Sequence, residues 1–223
     1  MGLTDPTGRT PEPPPPGPLL IACALGIERF ALRRGHRKEA PGPVTVLRTG
    51  MGPMAAEAAV TRALRAGGPA GGAAVIASGF CAGLAPGMHP GDLVVADETR
   101  GPGGSTVCTG VELLAEALSR AVPGRTVHTG PLTGSDHVVR GHERAGLRAT
   151  GAIAVDMESA ATLWSARRAG SCPVAAVRVI VDAPEHELVR IGTLRGGISA
   201  FRVLRAVMPA FFEWHRSLLL PRR

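Results

Sequence analysis

Short apolar runs alternate along the chain with longer segments in which apolar positions recur at helical spacing, and glycine or proline separates most of them. Leu19 to Leu25, Val44 to Leu47, Gly72 to Ser78, Asp92 to Ala96 and Thr126 to Leu132 are too short for buried helices and read as strands. Ile153 to Val155 and Pro173 to Val181 are rich in Val and Ile, as strands covered on both faces should be. Between them, Met157 to Ala169 holds neither Gly nor Pro and stops at Gly170, which predicts a helix; Ala55 to Ala66 and Val111 to Ala121 read likewise. The pattern predicts an α/β fold in one domain, a central mixed sheet flanked by helices. Residues 1–18 carry seven prolines and little that is apolar, so a disordered or polyproline-like tail is expected before a domain over 19–223.

Acidic residues stand where these elements begin and end. Asp156 and Glu158 fall at a strand-to-helix junction, Asp182 where a buried strand runs out, and Glu28 just after the first strand. Strand ends of that kind are where open α/β sheets bind ligands. Each acid also has an ordinary reading: Asp156 as a helix cap, Glu158 and Glu28 as first-turn acids that complement a helix dipole, Asp182 as a turn residue. Thr49-Gly50-Met51-Gly52-Pro53-Met54-Ala55 satisfies G-x-G-x-x-A after a strand. The acid that would hold a cofactor ribose about 20 positions later is missing, so a dinucleotide fold is demoted, while the amides at that helix start suit an anion or a polar sugar. Gly79 to Gly83 reads as a turn where backbone can approach a ligand closely. His137 reads as a loop histidine.

Composition narrows the chemistry. A formal charge of +7 raises nucleic-acid binding, but the arginines are dispersed, Lys38 is the single lysine, and there is no Tyr; stacking surfaces for bases are lacking. Cys23, Cys81, Cys108 and Cys172 show no CxxC spacing, and the seven histidines show no HExxH pair, so neither a zinc site nor a disulfide framework is expected. No signal-peptide pattern or apolar run of membrane-spanning length is evident, and a cytoplasmic protein is expected. Ile198 to Leu220 reads as one amphipathic last helix, whose apolar side (Phe201, Leu204, Met208, Phe211, Phe212) serves the core or a dimer, with peripheral membrane contact as the alternative.

Val155-Asp156-Met157-Glu158-Ser159-Ala160-Ala161, followed by Val177-Arg178-Val179-Ile180-Val181-Asp182, resembles the signature of the nucleoside phosphorylase and nucleosidase superfamily, in particular its methylthioadenosine/S-adenosylhomocysteine nucleosidase branch. Asp156 stands where that branch usually has Glu, and Val181 where it has Ser. Ser78 to Leu84 and Pro90 to Glu98 extend the likeness, which covers about Leu20 to Glu185. The resemblance implies cleavage of a purine N-ribosidic bond without a cofactor. It implies that Asp182 protonates the departing base, Glu28 orients water, Glu158 holds the ribose hydroxyls and Met157 packs beneath the sugar, with Asp156 beside them. It also implies that Gly79 and Phe80 face the ribose and that Val139 borders the base. Phe80 replaces a usual hydroxyl residue, which weakens a phosphate site; Arg29 and Arg48 keep phosphate open as a co-substrate. The departures, Phe80 and the basic apolar last helix resemble the hopanoid-associated branch, which implies adenosylhopane, a lipid-linked adenine nucleoside, as substrate, with methylthioadenosine the alternative. A homodimer or larger homo-oligomer is the family's habit. A non-catalytic nucleoside sensor would be expected to lack the acid at position 182 or the sugar-holding Glu, and both are present.

Overall fold

The computed structural model describes residues 17–35, 40–66, 73–170, 173–183 and 193–218, the first six of the last segment by backbone alone. The expected Pro-rich tail lies almost wholly outside them. Eight strands form one mixed sheet: β1 (Leu19–Cys23), β2 (Val44–Arg48), β3 (Ala74–Gly83), β4 (Leu93–Gly101), β5 (Gly104–Val107), β6 (Val127–Gly134), β7 (Ala154–Asp156) and β8 (Val174–Asp182). The helices are α1 (Gly26–Arg34), α2 (Pro53–Ala66), α3 (Val111–Ala121), α4 (His142–Ala149), α5 (Ser159–Ala169), α6 (Thr193–Ala206) and α7 (Met208–Ser217).

The sheet runs β2-β1-β3-β7-β6-β4-β5, and β8 pairs with both β3 and β4. The strands β3, β8, β4, β6 and β7 therefore close a circuit, parallel at β3–β8 and antiparallel at β8–β4 and β3–β7. Closure depends on strands long enough to change partners. In both β3 and β4 the register shifts partway, between Cys81 and Ala82 and between Ala96 and Thr99, and such irregularities bend a strand.

Side-chain alternation along the strands builds two cores. Leu19, Ile21 and Cys23 face α1, α3, α6 and α7, whereas Leu20 and Ala22 face the side covered by α2 and α5. The first core is closed by Phe211, Phe212 and Trp214, all 0 % exposed, and the Trp214 indole N–H donates to the Thr109 carbonyl at 2.7 Å. Burying each such ring is worth roughly 1.5–3 kcal/mol.

Three expectations are corrected here. Gly79 to Gly83 is the second half of β3, held in the sheet by β7 and β8 on either side, and no turn. The single last helix is two, broken at Val207 with Pro209 in the first turn of α7, a position where its missing N–H does no harm. The apolar side considered for membrane contact is already used: Leu204, Met208, Phe211 and Phe212 are fully buried in the core. Residues 184–192, between β8 and α6, lie outside the described residues. Among the described residues no helix is long and apolar enough to cross a membrane. The hairpin strand β5 and helix α4 had no counterpart in the sequence reading; α4 turns out to matter for the site.

Candidate active site

A cavity of about 260 Å³ opens where β1, β3, β6, β7 and β8 end. It is lined by Glu28, Phe80, Val139, Asp156, Met157, Glu158 and Asp182, residues scattered over 155 positions that the sheet brings together. Of the residues expected to be catalytic or to touch the nucleoside, Gly79 alone does not line it.

The cavity is built around a buried cation. Arg178, in the middle of β8, is 1 % exposed. Its Nη2 pairs with Asp156 Oδ2 at 2.6 Å and its Nε donates to Ser159 Oγ at 2.9 Å. Burial opposes the charge, but the carboxylates of Asp156, Glu158 and Glu28 more than offset it, and the guanidinium is held above its usual range. Both Asp156 oxygens also accept from the Ser159 amide at 3.2 Å, so the capping role open to Asp156 is realised along with an ion pair that sequence alone did not show.

Glu28 enters from the first turn of α1, 2 % exposed. Its Oε2 accepts from the Leu25 amide and its Oε1 from the Phe80 amide, each at 2.8 Å. Burial raises its pKa, with Arg178 and those amides acting the other way. Phe80 thus contributes a backbone N–H to the acid as well as a side chain to the cavity wall. Gly79 stands behind Glu28.

Met157 and Glu158 occupy the bend between β7 and α5, because the helix starts at Ser159, two residues later than the predicted start at Met157. The bend frees the Glu158 carboxylate to cross to the glycine loop before α2, where Oε1 accepts from the Gly52 amide at 2.9 Å. The anion expected at those amides is therefore supplied by the chain itself. Burial raises the Glu158 pKa too, opposed by Arg178 and the Gly52 amide.

Asp182 closes the far side at the end of β8. It was expected against an apolar run; instead its Oδ2 accepts from Arg144 Nη2, an ion pair with side chains 15 % and 8 % exposed. Arg144, from the first turn of α4, also donates through Nε to the Val139 carbonyl at 3.3 Å. Asp182 Oδ1 and Arg144 Nη1 are buried with no hydrogen-bond partner among the described residues. His137 lines the cavity on an exposed strap, bridging Asp136 at 2.6 Å and Glu143 at 2.9 Å, and these contacts, Asp136 first, raise its pKa. It is more closely tied to the site than its reading as a loop histidine implied.

Two residues escaped the sequence reading. Arg178 left a signal, a lone charge within Ala175-Ala176-Val177-Arg178-Val179-Ile180. Arg144 left none, since His142-Glu143-Arg144-Ala145 is a polar stretch with no apolar pattern to mark it. Arg29 and Arg48, considered for phosphate, are exposed and line no part of the cavity. Among the described residues no group of three or more His, Cys, Asp or Glu side chains could hold a metal ion.

A mixed α/β sheet whose strand ends gather carboxylates around one pocket defines a small-molecule site of the α/β class. Residues 28–207 match the Phosphorylase superfamily, and the chain belongs to that superfamily. Its fold is that of solved nucleosidases. The 5′-methylthioadenosine/S-adenosylhomocysteine nucleosidase of Neisseria meningitidis, in complex with methylthio-immucillin-A, is 19 % identical, with a TM-score of 0.73 over 90 % of this chain and 99 % of that one. The enzyme from S. pneumoniae with a transition-state inhibitor is 18 % identical, with a TM-score of 0.72 over 88 % and 99 %. The Helicobacter pylori enzyme with butyl-thio-DADMe-Immucillin-A is 17 % identical, with a TM-score of 0.66 over 92 % and 99 %. No curated protein matches the chain.

Proposed function

We propose that this chain hydrolyses the N-glycosidic bond of an adenine nucleoside, releasing adenine. The observation that carries the reading is the gathering of Glu28, Glu158 and Asp182 around a single pocket with Met157 and Val139 in its walls. Breaking such a bond leaves a cationic sugar and a purine that departs well only when protonated. Asp182 gives a proton through Oδ1 to purine N7 as the C1′–N9 bond breaks and its electron pair stays with the base. Glu28 orients a water whose oxygen bonds to C1′ and whose proton passes to Glu28, then to solvent; Asp182 is reprotonated from solvent. Glu158 holds the ribose hydroxyls, with Asp156 fixing Arg178 between the two glutamates. A proton donor of this kind contributes roughly 10²–10⁴-fold.

Water is preferred to phosphate on electrostatic grounds. Four carboxylates line the cavity against one lining guanidinium, Arg144, which is already paired. A dianion would meet repulsion there.

For the nucleoside we put adenosylhopane first. At about 260 Å³ the cavity lies below the roughly 300–1,000 Å³ common for drug-sized ligands, enough for a nucleoside head group. Its lining includes Met51 and Val138, 67 % and 63 % exposed, and α1 adds Ile27 and Phe30, 52 % and 47 % exposed. An apolar rim suits a substituent on the sugar that is large and apolar. Methylthioadenosine is the second reading, favoured by the methylthio-bearing inhibitor in the Neisseria meningitidis complex.

The test is chromatography of products from adenosylhopane, methylthioadenosine and adenosine, each with and without phosphate. Adenine and free sugar released far more efficiently from adenosylhopane than from methylthioadenosine or adenosine support the first reading. Efficient release from methylthioadenosine moves the substrate to the second, a sugar phosphate replaces hydrolysis with phosphorolysis, and no release from any of them overturns the function.

A further inference from the structure

We infer that Arg144 is a positioning residue for the reaction proposed above: it grips the Asp182 carboxyl by Oδ2, leaves Oδ1 as the oxygen that meets the purine, and counters the negative charge that Asp182 gains as its proton leaves. The inference rests on that proposed reaction.

The geometry is specific. A carboxyl has two oxygens, and an acid free to rotate offers either one in any direction. Here Arg144 Nη2 occupies Oδ2, while the Arg144 Nε–H on the Val139 carbonyl, 3.3 Å away, keeps the guanidinium from following the acid if it turns. The clamp joins the start of α4 to the end of β8 across 38 residues, and it is 8 % exposed on the arginine side, so little water competes for it. What the clamp leaves over is informative. Oδ1 of the acid and Nη1 of the arginine are both buried without partners among the described residues, and both side chains line the cavity. An unsatisfied buried acceptor beside an unsatisfied buried donor is costly in an empty site and serves a ligand with polar edges.

When Oδ1–H gives its proton to the purine, the carboxyl becomes a carboxylate; a fixed cation already at Oδ2 stabilises that charge as it develops, without reorganisation. Arg178 is not placed to do so, because Asp156 and Ser159 engage it. The other titratable groups of the pocket are Glu28 from α1, Cys81 from β3, Asp156 and Glu158 from the β7–α5 junction, and His137 from the strap before α4. None has a hydrogen bond to Asp182 among the described residues, and all are unchanged in the variants below.

The test compares Arg144→Gln and Arg144→Lys with wild type on two substrates: adenosine, whose base needs a proton to leave, and p-nitrophenyl β-ribofuranoside, whose phenolate leaves without one. Arg144→Gln is expected to lose about 10²-fold in kcat on adenosine and at most about threefold on the nitrophenyl riboside. Arg144→Lys keeps the charge but not the Val139 anchor and is expected to lose less than Arg144→Gln on adenosine, with the nitrophenyl riboside again nearly unaffected. Equal losses on both substrates, or Arg144→Gln as active as wild type on adenosine, overturn the inference while the proposed reaction stands. Wild type that cleaves neither substrate nor any other adenine nucleoside overturns the reaction, and the inference with it. Should Arg144→Gln fail to fold, the ratio of the two losses in Arg144→Lys still decides.

Discussion

Gly79 leaves the space that Glu28 fills: a Cβ at position 79 would stand 2.5 Å from Glu28 Oε1 and 2.5 Å from Arg178 Nη1. The residue's φ of +147° is also one that side chains rarely adopt. The glycine thus belongs to the wall behind the acid, and it is Phe80, Cys81 and Ala82 after it that line the cavity. Gly79→Ala must push Glu28 off the Leu25 and Phe80 amides or shift β3. We expect adenine release to fall at least about 10²-fold and stability to fall by about 1–3 kcal/mol. Parallel kinetics and urea denaturation check this; an alanine variant with normal turnover would mean that the Glu28 position is not critical.

Arg178 and Asp156 are both 1 % exposed at the side chain, and breaking one half of such a pair leaves a buried charge uncompensated. Arg178→Met is expected to cost about 3–5 kcal/mol, and Asp156→Asn in the same chain should restore part of that loss. Denaturation of both single variants and the double variant measures the coupling. Additive losses would show that the pair is not the source.

Much of this arrangement was legible in the sequence, for identifiable reasons. Strands buried on both faces announce themselves by continuous Val, Ile and Ala, and α3 falls on Val111 to Ala121 as its apolar spacing predicts. Acids at strand ends are equally visible, since a carboxylate beside an apolar run has few structural uses. Partnership is not visible. Nothing local tells that Glu158 crosses to Gly52, 106 residues away, or that Asp182 meets Arg144 from a polar stretch 38 residues upstream. The extension of β3 through Gly79 to Gly83 was hidden for a related reason: glycine suggests a turn locally, and only pairing with β7 and β8 makes it strand. The fate of the last apolar helix was likewise a packing matter, because Phe211 and Phe212 look the same whether they face a membrane or α3.

Burial raises the Glu28 carboxyl above its ordinary value of 4.5, and Glu158 likewise. A group whose folded pKa is raised stabilises the fold fully below its unfolded pKa, and that contribution is lost as pH rises through the folded value. Wild type is therefore expected to lose stability relative to Glu28→Gln as pH climbs from about 4.5 towards neutrality. The amide also changes two hydrogen bonds, but that offset does not vary with pH, so the slope is the readout. Denaturant midpoints at pH 4.5, 6 and 8 check it, and parallel curves would contradict a raised Glu28.

Cys23 and Cys108 are buried and their thiols pushed up to about 12, chiefly by burial; Cys81, in the cavity wall, is raised further in the same direction. The thiolate is the reactive form, so these three should resist maleimide at pH 8 and label only as the protein unfolds. Peptide mapping after labelling in increasing urea resolves each site. Rapid labelling of Cys81 in the native protein, slowed by adenine, would instead mark a thiol open to the pocket.

Asp182→Asn separates binding from chemistry. The amide retains the size of the acid and can still present its oxygen to Arg144 Nη2, the contact that the carboxylate makes through Oδ2. Its nitrogen then faces the cavity as a donor, enough to hold a purine nitrogen but unable to give up a proton. Adenine affinity should stay within about tenfold of wild type, whereas kcat on adenosine should drop by roughly 10²–10⁴-fold. Calorimetry with adenine and single-turnover cleavage measure the two halves. The same variant should cleave the nitrophenyl riboside nearly as well as wild type, since a phenolate departs unaided. An Asn variant that releases adenine at the wild-type rate would remove Asp182 as the acid, and the proton would then have to come from elsewhere in the pocket, with His137 on its strap the next side chain to test.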